Sequence, residues 1–504
     1  MSFECDLFWH RKDLRIRDNI GLLKAAEKTK SITGVYVFDQ KIFNPSTMST
    51  SRAWFILESL KELQQSWRKA GSELLLLKGD PIKVLPILCK AVNAKAITCN
   101  KDIDFYSRER DRELKEVINR NGVIFYEYWD HLLIEPGVIK TNTHTNFKVY
   151  TPFSSKWKKE LINKKNEVNQ IFVVNQPKNL IKLDLKILFK KNFKLFNQAN
   201  LLKDIPQKIY NIEAKKVSLC PCKPGEEGAN EQLKLFCSLS ELENEININN
   251  NSGIYKYNRN RDLPIIQGTS FISAALSTGT LSPRVAWEAM NNAKSIALHR
   301  RNELEVISVN TWEKELIWRE FYQHCLFLFP ELEKGPFRKK WKNFPWDNNT
   351  NNFNSWMDGL TGYPIVDAAM RQLNTTGWMH NRCRMIVASF LVKDLICDWR
   401  IGEKYFMEKL VDGDIAANNG GWQWSASSGM DTKPLRIFNP LIQARKFDSE
   451  ARYIKKWLPE LSHVNPKDLI NCEILPIERR GYPAPIVNHK EQQSLFKDLY
   501  SNLT

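Results

Sequence analysis

Four residues between positions 312 and 327 have the types and spacing to build a pocket. Glu315, Trp318, Arg319 and Tyr322 fall at i, i+3, i+4 and i+7, so a helix places them on one face. A carboxylate, an indole and a guanidinium on an otherwise apolar helix can line a polar cavity with one flat wall. A half-exposed face with an Arg–Glu pair is the plainer reading of the same spacing. A second group lies in Gly377-Trp378-Met379-His380-Asn381-Arg382-Cys383-Arg384-Met385. Asn381 and Met385 are i and i+4, with Arg384 beside them, and so offer an amide, a soft thioether and a cation. Methionine at this spacing also serves as core filler. A third group is the run from Val411 to Trp424, with Asp412-Gly413-Asp414, Asn418 and Gly420-Gly421-Trp422-Gln423-Trp424. Asp-x-Asp invites a metal, but no histidine or third acid lies close in sequence, and no metal is expected. Acids at a helix start also answer the dipole. Two glycines ahead of Trp-Gln-Trp permit a close backbone approach to something flat. In Gly268-Thr269-Ser270-Phe271-Ile272-Ser273, hydroxyls and free N–H groups at a helix start suit a phosphate, although such residues are also ordinary caps.

These groups need a scaffold, and the chain is long enough for several units. It has 504 residues, 42% hydrophobic and 26% charged, the balance of an ordinary globular protein. No run approaches the ~18 apolar residues of a membrane span. The first residues lack the basic and apolar regions of a signal peptide, so a cytoplasmic protein is expected. Ten cysteines are scattered without a CxxC, and the close pair Cys220-Pro221-Cys222 is alone, so reduced thiols fit better than zinc or disulfides. The formal charge of +17 makes a polyanion a plausible partner. Part of that excess is a Lys/Asn-rich stretch: Lys or Asn fills 19 of the 45 positions from 156 to 200. Sixteen tryptophans are present, ten of them from Trp287 to Trp424. They offer stacking area and oxidisable rings, or simply a core.

Residues 1–135 alternate in type. Short buried strands are predicted at 5–9, 31–38, 73–77, 96–99 and 123–128, with helices at 19–28, 52–70, 82–91 and 107–120. This pattern predicts a doubly wound parallel sheet with ligands at the carboxyl ends of its strands. Those ends carry Trp9-His10-Arg11, Asp39, Gly79-Asp80 and Asn100-Lys101-Asp102. Neither GxGxxG nor a Walker motif accompanies them. Residues 136–250 read as a long inter-domain connection with some short helices, and residues 251–504 as an all-α domain.

In this order, the segments resemble DNA photolyases of the photolyase/cryptochrome family, above all the cyanobacterial class I enzymes for cyclobutane pyrimidine dimers that carry a deazaflavin antenna. The resemblance runs from Phe8-Trp9-His10-Arg11-Lys12-Asp13-Leu14-Arg15 to Gly481-Tyr482-Pro483-Ala484-Pro485, and its most specific parts are 378–394 and 412–440. It implies an α/β antenna domain and an all-α FAD-binding domain. The FAD contacts it implies are Tyr257, Thr269, Ser270, Phe271, Ile272, Ser273, Trp312, Glu315, Arg319, Tyr322, Asn381, Arg384, Asp412, Gly413, Asp414 and Asn418. Trp318 and Trp424 are then walls around a flipped dimer, with Glu315 and Asn381 at its polar edges and Met385 packed against it. Arg261, Arg436, Arg445 and Lys446 are the implied phosphate contacts. Trp422, Trp399 and Trp346 match the family's chain for photoreducing oxidised flavin.

The implied reaction is light-driven: fully reduced FAD lends one electron to the dimer, the ring opens and the electron returns. The implied partner is DNA containing such dimers, bound by a monomer. Three relatives compete. A (6-4) photolyase pairs two histidines where this chain has His380-Asn381. Cryptochrome photoreceptors often alter the position of Asn418. The DASH group tends to lose the residues matching Trp424 and Met385. For the antenna, Arg52, Asp102 and Asp104 favour 8-hydroxy-5-deazaflavin over methenyltetrahydrofolate.

Overall fold

The computed structural model describes residues 4–167, 177, 180, 185–217, 219–237, 253–430 and 435–503. The polar tract at 249–252 and much of the Lys/Asn-rich stretch lie outside them.

Short apolar runs rich in β-branched and aromatic residues form the strands β1 (Asp6–His10), β2 (Ile32–Phe38), β3 (Leu74–Lys78), β4 (Ala96–Asn100) and β5 (Ile124–Tyr128). Every residue of β2 and of β4 is buried, as expected of a sheet covered on both faces. The helices α1 (Ile20–Lys28), α2 (Thr50–Lys69), α3 (Pro81–Val92) and α4 (Phe105–Arg120) provide that cover. Their starts are chemically marked. Ser49 caps α2, Asp80 with Pro81 starts α3, and Asp104 accepts from the Ser107 N–H to start α4.

The strand order is β5-β4-β1-β2-β3, all parallel, with the short β6 (Leu201–Leu202) beyond β3. The order reverses between β1 and β4, so the binding crevice opens beyond His10 and Asn100. The sheet departs from the expected all-parallel form at one edge. There β6 pairs antiparallel with β3. This strand comes from the stretch read as a connection. Three helices of that stretch, α5 (Tyr150–Glu167), α6 (Leu185–Gln198) and α7 (Gly225–Cys237), also join the packed cores. Trp157 and Phe236 are buried in the helical unit, and Phe196 is buried against the sheet. Phe153, Trp157, Phe196 and Phe236 bury, while Lys156, Lys159, Lys190 and Lys194 are exposed.

Beyond residue 253 the described residues contain no strand. The long helix Glu303–Leu328 carries the first pocket group, Asn381–Lys393 the second and Ile415–Ser425 the third. Asn302, His380 and Asp414 cap these helices with side-chain acceptors. Two apolar clusters fill the unit, one around Trp312 and Phe321, the other around Trp399 and Trp422.

Buried charge joins the two units. Arg15 meets Asp130 at 2.6 Å, and Arg284 meets Asp130 at 2.7 Å and Asp18 at 2.9 Å. Burial alone would raise the Asp130 carboxyl; Arg15 and Arg284 hold it below the usual range instead. Its stabilising contribution is therefore present above about pH 4 and is lost as the pH falls further. Gly279 has φ +69°, and a Cβ there would lie 1.9 Å from the Lys12 carbonyl oxygen, so the seam requires glycine. Arg284→Met leaves two buried carboxylates short of a cation. It is expected to cost about 3–5 kcal/mol of stability, read as a lower urea midpoint. An unchanged midpoint would show that Arg15 alone satisfies Asp18 and Asp130.

Candidate active site

Side chains from all three helices, with Arg261 from the preceding turn, converge on a cavity of about 420 Å³ between the two apolar clusters. The first group behaves as its spacing predicts: Glu315, Trp318, Arg319 and Tyr322 all line it. Asn381, Arg384 and Met385 form a second wall, and Asp412, Asp414, Asn418, Trp422 and Trp424 a third. At the entrance, Met385, Trp424 and Ser425 also border an adjoining groove of about 520 Å³, whose rim carries Lys148, Arg338 and Arg436.

The polar groups are organised rather than scattered. Arg384 donates Nη2 to Asp412 at 2.8 Å and Nε to the Met379 carbonyl at 2.8 Å. Ser273 Oγ donates to the same Asp412 at 2.6 Å. Asp414 caps its helix and accepts from Gln323 at 3.0 Å. Asn418 Nδ2 donates to the Glu403 carbonyl at 2.9 Å, and burial pushes the Glu403 carboxyl up to about 7. Arg261 pairs with Glu315 at 2.6 Å. Asn381 Nδ2 lies 4.0 Å from Met385 Sδ. Arg319 turns to His131, with Nη2 2.6 Å from Nε2. Burial and that guanidinium depress His131 well below its ordinary value, so the ring stays neutral and accepts.

Some residues implied by the resemblance sit behind the cavity wall. Tyr257 and Trp312 are buried against Phe236, with ring centroids 5.9 and 5.2 Å away. Phe271 adopts φ +52° and packs on Trp378, Ile272 is buried and Ser270 is half-buried. Thr269 Oγ1 is buried with no hydrogen-bond partner among the described residues. An orphaned hydroxyl in a loop next to Ser273 and Asp412 fits a ligand that brings polar oxygens there. The residues present therefore fit FAD, with hydroxyls at Thr269 and Ser273 and the Arg384–Asp412 pair and Asn418 at the cavity. Arg445 and Lys446 are exposed on the helix Pro440–Phe447, where Arg445 bonds Asn471, and line neither space. Arg436 lies 5.5 Å over the Trp424 ring.

A second cavity, of about 270 Å³, lies at the crevice beyond β1 and β4, between the two units. Arg52, Asp102 and Asp104 line it, as does Gly413, which faces this space rather than the first. Asp414 lines both, so the Gly413–Asp414 peptide divides them. Lys12 bridges Asp102 and Asp104 at 3.0 Å each. Arg52 donates to the Gly413 and Met407 carbonyls at 2.9 Å and through Nε to Met48 Sδ at 3.2 Å, with no carboxylate partner among the described residues, and burial pulls it down to about 10. Tyr106 and Arg110 complete this wall and were not identified from sequence. Behind Trp318 of the first cavity, Tyr150 of α5 was missed; it stacks on that ring at 3.7 Å and 4° and comes from the stretch read as a connection.

Fold and site together define a two-unit protein with one polar and aromatic cavity in a helical domain and a second at the α/β crevice. Residues 6–170 match the family model described as DNA photolyase, and residues 312–502 match that of the FAD binding domain of DNA photolyase. The chain belongs to the DNA photolyase family. It is 46% identical over 497 residues to a deoxyribodipyrimidine photo-lyase of Synechococcus sp., covering 99% of this chain and 96% of the relative. A crystal structure of a bacterial class III photolyase from Agrobacterium tumefaciens superposes with TM-score 0.83 at 33% identity, covering 100% and 98% of the two chains. An archaeal photolyase from Sulfolobus tokodaii, solved with two FAD molecules, gives TM-score 0.76 at 31% identity over 99% and 100%.

Proposed function

We propose that this chain is a deoxyribodipyrimidine photo-lyase that splits cyclobutane pyrimidine dimers in DNA under blue light. The observation that carries this reading is the cavity that joins Trp318, Asn381, Met385 and Trp424 at its entrance to Arg384, Asp412 and Asn418 within. When bound, reduced FAD would supply one electron to the dimer and recover it after ring opening.

The rest is work for the chain's own residues. The groove cations Lys148, Arg338 and Arg436 attract phosphates and set the duplex over the entrance without reading sequence. Trp318 and Trp424 receive the extruded dimer on flat faces, and Tyr150, stacked behind Trp318, fixes the plane of that wall. Asn381 can donate to a pyrimidine carbonyl and accept from an N–H. Glu315, steadied by Arg261, accepts from an N–H. Met385 fills the apolar side, and a filled cavity excludes water. In the second cavity, Arg52, Lys12, Asp102 and Asp104 would hold an antenna, for which we favour 8-hydroxy-5-deazaflavin. The protein would work as a monomer.

Trp318→Ala is expected to weaken binding of dimer-containing DNA by about 1–3 kcal/mol through lost stacking, with flavin retained; unchanged affinity would remove Trp318 from the wall. The function itself is tested by illuminating the reduced protein with DNA carrying one thymine cyclobutane dimer or one (6-4) lesion. Loss of the cyclobutane dimer alone is the expected result. Loss of neither, with flavin bound and photoreducible, would make the chain a photoreceptor.

A further inference from the structure

The Cys220-Pro221-Cys222 pair takes no part in the proposed reaction, yet it is built with care. Gln232 of α7 clamps the link from both sides. Its Nε2 donates to the Pro221 carbonyl at 2.7 Å, and its Oε1 accepts from the Lys223 N–H at 3.0 Å. Pro221 fixes one further backbone angle. The two thiols sit one residue apart, and the Cys220 thiol points at the Cys222 carbonyl at 4.0 Å. Cys220 is half-buried, whereas Cys222 is sealed at 3% exposure. The neighbouring Cys222 lowers Cys220 below an ordinary thiol, and Cys220 with burial raises Cys222. An accessible, more acidic thiol beside a buried partner is the arrangement of an attacking and a resolving cysteine.

The surroundings give the pair something to act on. Cys222 packs in one cluster with Phe55 of α2, Ala274, Trp378 and Val411. Ala274 follows Ser273 and Val411 precedes Asp412, the two residues hydrogen-bonded at 2.6 Å. Trp378 packs on Phe271 at 5.0 Å. Three segments of the candidate flavin site therefore meet the α/β domain at this dithiol.

We propose that Cys220 and Cys222 form a hydroperoxide-sensitive dithiol whose closure to a disulfide loosens the flavin site. The Cys220 thiolate attacks the peroxide, an S–O bond forms and the O–O bond breaks; with one proton, water or an alcohol leaves. The Cys222 sulfur then attacks the Cys220 sulfur, the S–S bond forms, the S–O bond breaks and water leaves with the Cys222 proton. Two thiols are oxidised and one peroxide is reduced. A disulfide across a single residue is strained and hence readily reduced, so the change is reversible by a dithiol. The flavin half of this proposal rests on the cofactor assigned above; the thiol half does not.

The test treats the flavin-loaded full-length protein with hydrogen peroxide, blocks free thiols with N-ethylmaleimide and maps every cysteine by mass spectrometry. The peptide with both cysteines should lose two hydrogens and recover them with dithiothreitol, and Cys220 should react roughly tenfold faster than any other cysteine in the chain. Cys222→Ser should leave a dimedone-reactive sulfenic acid at Cys220, and Cys220→Ser should leave Cys222 unoxidised. Flavin retained on a desalting column should fall with oxidation in the native protein and not in Cys220→Ser. Uniform oxidation of all cysteines, or none at Cys220, would overturn the site whatever the flavin does. A disulfide that leaves flavin retention unchanged would overturn the coupling.

Discussion

Arg384→Ala is expected to fold but to emerge from purification without flavin colour. The Arg384 guanidinium is fixed at two points, by the Met379 carbonyl and by Asp412, and Asp412 is additionally held by Ser273. The Asp412 side chain is 3% exposed, so it cannot turn to water when its cation is removed. Breaking such a pair costs about 3–5 kcal/mol; carried into flavin binding at about 1.4 kcal/mol per decade, this is a loss of about two to three and a half orders of magnitude. Arg384→Lys keeps the charge but not the planar fork and should fall between. Ser273→Ala removes one hydrogen bond from a carboxylate that keeps its arginine, for about 1–2 kcal/mol. The measurement is the ratio of flavin to protein absorbance after desalting, followed by titration with FAD, with circular dichroism to confirm the helices. A variant that keeps a full complement of flavin would detach the Arg384–Asp412 pair from the cofactor.

Sequence made much of this site legible because helical spacing fixes which side chains share a face. Glu315, Trp318, Arg319 and Tyr322 were placed together by a period of 3.6, and all four line one cavity. Strand-to-helix alternation likewise put ligands at the carboxyl ends of the strands, four candidate places, and the strand order seen in the structure narrows them to the crevice beyond β1 and β4. Contacts between elements far apart in sequence were out of reach. Tyr150 on Trp318 joins residues 168 positions apart, and nothing in its own neighbourhood announces a stacking role. The antiparallel edge strand Leu201–Leu202 has two residues, too few for any alternation to register. Gly413 was assigned to the flavin, but its carbonyl is drawn to Arg52, 361 positions earlier, which turns it to the other cavity. Composition misled at α5, where abundant lysine reads as a solvated connection although Trp157 is buried among the helices.

Trp422→Phe is expected to stop light-driven reduction of oxidised flavin while leaving repair by chemically reduced protein intact. Trp422 lines the cavity and is 2% exposed. A Cβ at Gly402 would lie 2.3 Å from the Trp422 ring, so glycine lets that indole press on the helix that Trp399 begins. The segments that carry Trp346 and Trp399 are tied together. The Asp347 N–H donates to the Ile396 carbonyl at 2.9 Å, and the Asp398 N–H donates to Asn348 at 2.8 Å. Trp422 lines the cavity, Trp399 is buried and Trp346 is only partly buried, as a relay from cavity to solvent requires. Phenylalanine preserves much of the packing but is far harder to oxidise, so photoreduction should slow by roughly 100-fold or more, equal to about 2.7 kcal/mol of barrier. Trp346→Phe should give the same defect from the outer end. Trp356 supplies the control: its ring lies 6.1 Å from Trp422, but it is fully buried and donates to the Val387 carbonyl at 3.0 Å, with no solvent end. Photoreduction is read as bleaching of oxidised flavin under blue light with an external thiol, and repair is read after dithionite reduction. If Trp422→Phe photoreduces normally and Trp356→Phe does not, the electrons travel by another path through the same aromatic core.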